Sequence, residues 1–504
     1  MISTLDVAPR PATGRGAASN AETPHAPGYT AIGQALTRAG QPDYFTWLDH
    51  IRPAAGCTRP IRLIGEIITL DGATGRLLSA VRTHTLPDGQ IYKACGNRRR
   101  TVCPSCAHTY QGDAYQLLRS GLVGGKGVPE TVAQHPTVFA TFTAPSFGPV
   151  HTRRTNRHGT VLACRPRREP ELCPHGIDLR CHRLHNEDDP LLGTPLCLDC
   201  YDHRHQVVWN NHASELWRRT RITLERRLRR TARALGVDGS TLRLRYAKVA
   251  EMQRRGVVHF HAVIRLDGHD PTTPEAILPP PAALTTAHLI DAITAAAHQT
   301  ALTTEPHPAN PTGWPITWGE QLDVRPVTLT GDLTDRKVAA YLAKYATKAT
   351  EATGHTSTRL TTDTIDLYAN PDGTHPERLI HACWTLGAHP GWSGLRRWAH
   401  MLGYGGHFLT KARRYSTTFR LLRDTRTAHR RHQEDQEQTG IVRAVNHTGE
   451  ETTLTVGLLT FAGAGWRTTG DALLANTAAA LARTRQQVAR EELAHEQSRV
   501  LAAA

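Results

Sequence analysis

Apolar positions in this chain recur with two periods. Val257 to Leu266 (VVHFHAVIRL) is rich in β-branched and aromatic residues and lies between Gly256 and Gly268, which predicts a strand. Side chains alternate along a strand, so Phe260, Ala262, Ile264 and Leu266 form an apolar face and His259 and His261 share the other. Leu242 to Glu251 alternates in the same way, and Arg254-Arg255-Gly256 turns it into the first run, predicting a hairpin that brings Glu251 towards the two histidines. Further strands are predicted over Ile61 to Leu70, Leu77 to Thr83, Thr137 to Thr143 and Gln321 to Thr328. The helical period appears over Ile32 to Ile51, over Val207 to Leu235, where Leu216, Leu224 and Leu228 recur at multiples of four, and over Thr286 to Leu302. Thr334 and Asp335 are capping residues for another helix running to Lys348, and a terminal helix starts near Asp471. Strands interspersed with helices predict an α+β fold.

Cysteines subdivide the chain. Residues 1–55 form an N-terminal segment whose first 30 residues, rich in Ala, Pro, Gly and Thr, are expected to be disordered. Residues 56–130 hold a CxxC knuckle, Cys103 and Cys106, with Cys95 upstream and Cys57 as a candidate fourth ligand. Four thiolates suit a structural zinc ion; redox chemistry is the rival for a CxxC, but no thioredoxin-like pattern surrounds this one. Within 131–350 lies an insertion, 151–206, short of aliphatics and carrying Cys164, Cys173, Cys181, Cys197 and Cys200. So few apolar residues cannot build a core, so zinc is expected to stabilise the segment. Its ligand set stays open, because His175, His182, His185, His203 and His205 are also at hand. Residues 351–430 are basic and aromatic, with Trp384, Trp392, Trp398, Tyr404, Phe408 and Tyr415 expected to make a small core, or alternatively to stack on nucleic acid. Residues 431–504 form a tail with a short apolar patch at Val456 to Phe461 and the terminal helix.

Charge narrows the partner. The 504 residues carry 60 Lys and Arg against 45 Asp and Glu, a net charge of +15, which favours a polyanion. Seven arginines crowd residues 218–230, and Arg218, Arg219, Arg226, Arg227, Arg229 and Arg230 are candidate DNA contacts; a merely solvated face is the alternative. There is no apolar run long enough to span a bilayer and no secretory leader, so a cytoplasmic protein with no membrane partner is expected, one whose cysteines are not in disulfides.

Two imidazoles and a carboxylate (Glu251, His259, His261) suit Mg²⁺ or Mn²⁺ as well as Zn²⁺. Tyr341 and Tyr345 are one helical turn apart, with Lys344 and Lys348 in a stripe beside them. A metal-polarised phosphodiester attacked by a tyrosine would leave a 5′-phosphotyrosine and a free 3′-hydroxyl, with a nearby lysine charge or the metal helping the phenol to ionise.

These pieces resemble the HUH endonucleases of rolling-circle replication. Phe139-Ala140-Thr141-Phe142-Thr143 is similar to their first motif, His259-Phe260-His261 to the His-hydrophobic-His motif, and Tyr341-Leu342-Ala343-Lys344-Tyr345 to a two-tyrosine motif. CGNRRRTVCPSC, TAPSFGPVH, PLCLDCYD and RRWAHMLGYGGHF extend the likeness, over roughly residues 55–425, to replication initiators of actinobacterial plasmids and integrative conjugative elements. The resemblance implies a palm of antiparallel sheet flanked by helices, a divalent cation, and an enzyme that nicks one strand at an origin and rejoins strands at termination. The viral type pairs one tyrosine with one lysine; two pairs here leave the order of attack open. No GxxxxGK[ST] is present, so a host helicase and polymerase are expected partners. The alternatives are a related relaxase or single-strand transposase, and a non-catalytic zinc-dependent DNA-binding protein.

Overall fold

A computed structural model describes residues 30–328, 334–347, 358–437 and 453–503; residues 1–29 and Lys348 fall outside them. The Thr30 hydroxyl caps α1 (Ala31–Ala39) by accepting from the Gly33 N–H. Gly40 and Pro42 then break the helix expected to continue to Ile51, and a separate α2 (Tyr44–Ile51) follows. Next come β1 (Ile61–Asp71), β2 (Leu77–Arg82), β3 (Ile91–Lys93), α3 (Pro104–Val123) and β4 (Thr137–Phe142). The cysteine-rich insertion contributes only β5 (Arg154–Thr155) and β6 (Val161–Leu162) before α4 (His203–Ala234). The expected hairpin follows as β7 (Leu242–Met252) and β8 (Val258–Gly268), then α5 (Thr286–Gln299), which stops short of Leu302 because Ala301–Thr303 forms β9. The rest is β10 (Pro315–Thr317), β11 (Leu322–Pro326), α6 (Asp335–Tyr345), α7 (His375–Leu386), α8 (Ser393–Arg397), β12 (Leu409–Lys411), α9 (Phe419–Glu437), β13 (Thr453–Ala464) and α10 (Thr469–Ala503).

The central sheet is antiparallel throughout, in the order β11-β4-β8-β7-β12. Period-two alternation gives it two buried faces. Phe260, Ala262, Ile264 and Leu266, with Val138, Ala140 and Phe142 of β4, pack against Leu216, Leu224 and Leu228 of α4 and Leu289 and Ile293 of α5. On the opposite face, Phe139, Ala247, Val249 and Val263 pack against Leu117 and Leu118 of α3 and Val338 and Leu342 of α6. The result is an α+β arrangement, helices on both sides of an antiparallel sheet.

The aromatic residues of 379–422 do not form a small core of their own. Trp392, Tyr404 and Phe408 join the α4 side of the central core and Tyr415 joins the α3 side, because α7, α8 and β12 fold back onto the sheet. A second sheet, β13-β1-β2 with β3 also on β1, unites the two ends of the chain. The apolar patch at Val456 to Phe461 is part of β13, paired along the whole of β1 from Ile61↔Ala464 to Asp71↔Thr453. Among the described residues, no helix is long and apolar enough to cross a membrane.

Candidate functional site

The hairpin turn depends on Gly256. Its φ is +75°, and a Cβ there would stand 2.7 Å from Leu402 and 2.9 Å from Leu379, so a side chain has neither the backbone freedom nor the space. The resulting register sets Glu251 opposite His259 and Val249 opposite His261, while β4 sets Thr141 opposite His261. His261 Nε2 lies 3.1 Å from a Glu251 carboxylate oxygen and its Nδ1 3.2 Å from the Thr141 hydroxyl. The His259 ring lies nearly parallel to the His261 ring, centroids 4.7 Å apart, with Nδ1 2.7 Å from the Gln253 amide nitrogen. Its Nε2 is buried and has no hydrogen-bond partner. Burial first, then the neighbouring His261 and Arg255, push His259 down to about 3, so the ring is neutral and its free nitrogen can ligate.

Helix α6 completes this site. The Thr334 hydroxyl caps it by accepting from the Lys337 N–H, and Val338, Ala339, Leu342 and Ala343 bury its inner face. Tyr341 and Tyr345, one turn apart, both reach His261: their ring centroids lie 5.1 Å and 5.6 Å from the imidazole and 4.5 Å from each other. In the protein alone, burial and the carboxylate beside them set the phenols. Burial, then the Tyr345 phenol and the Glu251 carboxylate, push Tyr341 up; burial and then Glu251 push up Tyr345. Lys344 is exposed, its ammonium 5.8 Å from the Tyr345 ring centre, and Lys348 lies outside the described residues.

Nine of the ten cysteines, all but the core residue Cys383, gather into three clusters, within each of which the candidate ligand atoms lie within 4.8 Å of one another and can hold a structural metal such as zinc. Cys57, Cys95, Cys103 and Cys106 come together as the sequence suggests. A hydrogen bond from Cys106 pulls the Cys57 thiol down and the same contact pushes Cys106 up, the behaviour of thiols crowded at one site. The five cysteines of the insertion do not form one site. His151, Cys164, Cys181 and His185 make one cluster, and Cys173, His175, Cys197 and Cys200 another. Nothing in the sequence marks His151, which lies outside any short-range ligand spacing. His185 turns Nε2 towards Cys181 (3.5 Å) and His151 (3.2 Å) while Asp189 holds its Nδ1 at 2.7 Å, the carboxylate–imidazole pairing that orients metal ligands. Of the surplus histidines, His203 instead meets His375 and His205 meets the Pro315 carbonyl. Glu251, His259 and His261 are not drawn together as tightly as these clusters.

The insertion abuts the hairpin. Arg254 donates to the Asp189 and Glu187 carbonyls, and a Cβ on Gly193 would lie 2.6 Å from the Arg255 nitrogen. The arginines of α4 are divided in their roles. Arg218 and Arg219 are both bound by Glu215, at 2.7 and 2.8 Å, and Arg227 donates to Gln299; Arg226, Arg229 and Arg230 are exposed.

Comparison with known proteins places this arrangement in the class of replication initiators. Residues 43–480 match the family described as replication initiator protein, pSAM2 (RepSA), and the chain belongs to that family. It is 42% identical over 473 residues to a replication initiator protein of Streptomyces ambofaciens, an alignment covering 92% of this chain and 95% of the relative. No solved structure matches.

Proposed function

We propose that this replication initiator is an HUH-type nickase, which cuts one strand of origin DNA through tyrosine attack and rejoins strands when a round of synthesis ends. The observation carrying this reading is that both tyrosines of α6 stand against His261, itself in contact with Glu251 and stacked on His259. A divalent cation, Mg²⁺ or Mn²⁺, would be held by Glu251, His259 and His261. The unpartnered Nε2 of His259 and the carboxylate beside His261 fit that role. Such a cation supplies polarisation of a phosphodiester oxygen and charge that favours phenolate.

The remaining chemistry belongs to the chain. Thr141 and Gln253 orient the two imidazoles. One tyrosine oxygen forms a bond to phosphorus as the bond to the 3′ oxygen breaks; the phenol proton passes to solvent and the leaving oxygen takes one up. A 5′-phosphotyrosine and a free 3′-hydroxyl result, and the second tyrosine permits a second transfer. Lys344, exposed on α6 beside Tyr345, would meet incoming phosphate. DNA is the macromolecular substrate, with a helicase and a polymerase supplied by the host.

The test is incubation of the protein with a supercoiled plasmid bearing its origin, with Mg²⁺ or Mn²⁺. The expected products are a nicked circle and a covalent DNA–protein adduct, both lost in the double variant Tyr341→Phe/Tyr345→Phe and in His261→Ala. Nicking that persists in the double tyrosine variant overturns the scheme.

A further inference from the structure

A second site lies at the far end of β7. Strand β12 pairs with β7 from Ala247 to Val249, and backbone hydrogen bonds at Tyr246 and Ala250 extend the cover by one residue each way, so the start of β7, Leu242 to Arg245, is an open edge that runs beside α4. Between them is a cavity of about 310 Å³, lined by Arg221, Arg229, Arg243, Arg245 and Arg413, with Glu225 the only carboxylate in its wall. Asp267, 3.8 Å from Arg245, does not balance it: that carboxylate is held by Arg265 at 2.6 and 2.8 Å and by His135 at 2.8 Å. The Nε atoms of Arg221 and Arg245 are buried without hydrogen-bond partners. Burial, followed by neighbouring guanidinium charge, pushes Arg243 down; burial is likewise the main influence lowering Arg245. Arg221 also donates to the Tyr246 hydroxyl and Arg243 to the Ser240 and Leu242 carbonyls, but these partners are neutral, so an anion entering the cavity would relieve the repulsion among the guanidinium groups.

We propose that this cavity is a phosphate-binding site that takes the sugar–phosphate backbone of duplex DNA beside the nick. The guanidinium fork matches phosphate oxygens in pairs, and the cavity admits a phosphate with its sugar. Arg226 and Arg230, exposed one turn apart on α4 next to Arg229, extend the positive charge out of the cavity as a strip for adjoining phosphates. Glu251 lies six positions along β7 from Arg245, roughly 20 Å at a rise of about 3.3 Å per residue. That is the length of about six base pairs at ~3.4 Å each. One strand thus carries a duplex anchor at its start and the tyrosine site at its end. This assignment rests on the proposed DNA-nicking function only for the identity of its ligand.

The experiment compares the full-length protein with Arg243→Gln/Arg413→Gln, and with Arg413→Gln alone, whose side chain is exposed and whose folding is not in question. Fluorescence anisotropy of a labelled origin duplex is followed across a salt series, with inorganic pyrophosphate and a nucleoside triphosphate as separate probes. The expected result is a salt dependence of log affinity shallower by about two for the double variant and about one for the single. Unchanged duplex affinity and slope overturn the proposal. So does saturable binding of pyrophosphate or nucleotide that the variants lose while duplex binding stays intact, which would make this a free-nucleotide site. Nicking is scored separately, on the wild-type protein, so its failure would count against the tyrosine chemistry and leave this comparison readable.

Discussion

Lys248 shows how a single side chain can oppose the sheet that holds it. It sits in β7 opposite Ala262, 3% exposed, its ammonium 3.7 Å from the centre of the Phe260 ring. Burial pushes it down to about 7, from an ordinary value of about 10.4. Folding therefore favours the neutral amine. The destabilisation is complete below pH 7 and is relieved as pH rises towards the unfolded value, so stability increases across that window. Lys248→Met, similar in length and uncharged, is expected to be more stable at neutral pH, by an amount on the order of a few kcal/mol, and to lose the rise between pH 7 and 10. Urea unfolding at pH 7 and at pH 9.5 reads both effects; a wild-type midpoint that falls with alkaline pH contradicts the argument. At this scale the sequence is informative where chemistry is local. His259 and His261 are legible because alternation alone puts them on one face. Gln253 and Thr141, which touch them, carry no such mark, since contacts made across a turn or from a neighbouring strand depend on register.

Among the elements, the cysteine-rich insertion shows what spacing cannot resolve. Its candidate ligands alternate along the chain: His151 and Cys164 serve the first cluster, Cys173 and His175 the second, Cys181 and His185 the first, Cys197 and Cys200 the second. Each cluster therefore closes a loop that contains a pair from the other, and the segment has little apolar core to hold one when the other opens. The two ions should load and leave together. Metal analysis of the purified protein is expected to find one ion per cluster, three in all. Cys181→Ser should lose two of them at once. Loss of a single ion from that variant would show that the two clusters are independent. The sequence shows the surplus of ligands, yet pairing by proximity along the chain suggests one site, because only the fold separates alternate pairs. Helix α6 is the opposite case: its cap, its apolar stripe and the one-turn spacing of its tyrosines are all local, and the helix starts where they indicate, though it ends at Tyr345 rather than running on to Lys348.

On the scale of the whole molecule, the ends of the chain are the part least visible in advance. β13 reads in sequence as an isolated apolar patch, because its partner β1 lies near the opposite terminus. Closure brings the last elements against the first metal cluster. The Trp466 indole N–H donates to the Cys57 carbonyl at 2.9 Å, and its ring stacks on Tyr92 at 5.1 Å. Tyr92 belongs to a small core with Trp47, Ile51 and Ala475, so α2, β3 and α10 are fastened together at this point. A Cβ on Gly56, the neighbour of Cys57, would lie 3.0 Å from Ala479, which leaves α10 in direct contact with the loop that presents the cysteine. Trp466→Ala removes the stack and the hydrogen bond together, at a cost on the order of 2–3 kcal/mol for a partly buried indole. The expected consequence is local: faster proteolysis and amide exchange over residues 56–106, easier chelator removal of the ion at Cys57, and unchanged retention by the two clusters of the insertion. If all three ions leave at the same chelator concentration in variant and wild type, the C-terminal strand and helix do not buttress that cluster, and their pairing with the N-terminal sheet serves some other end.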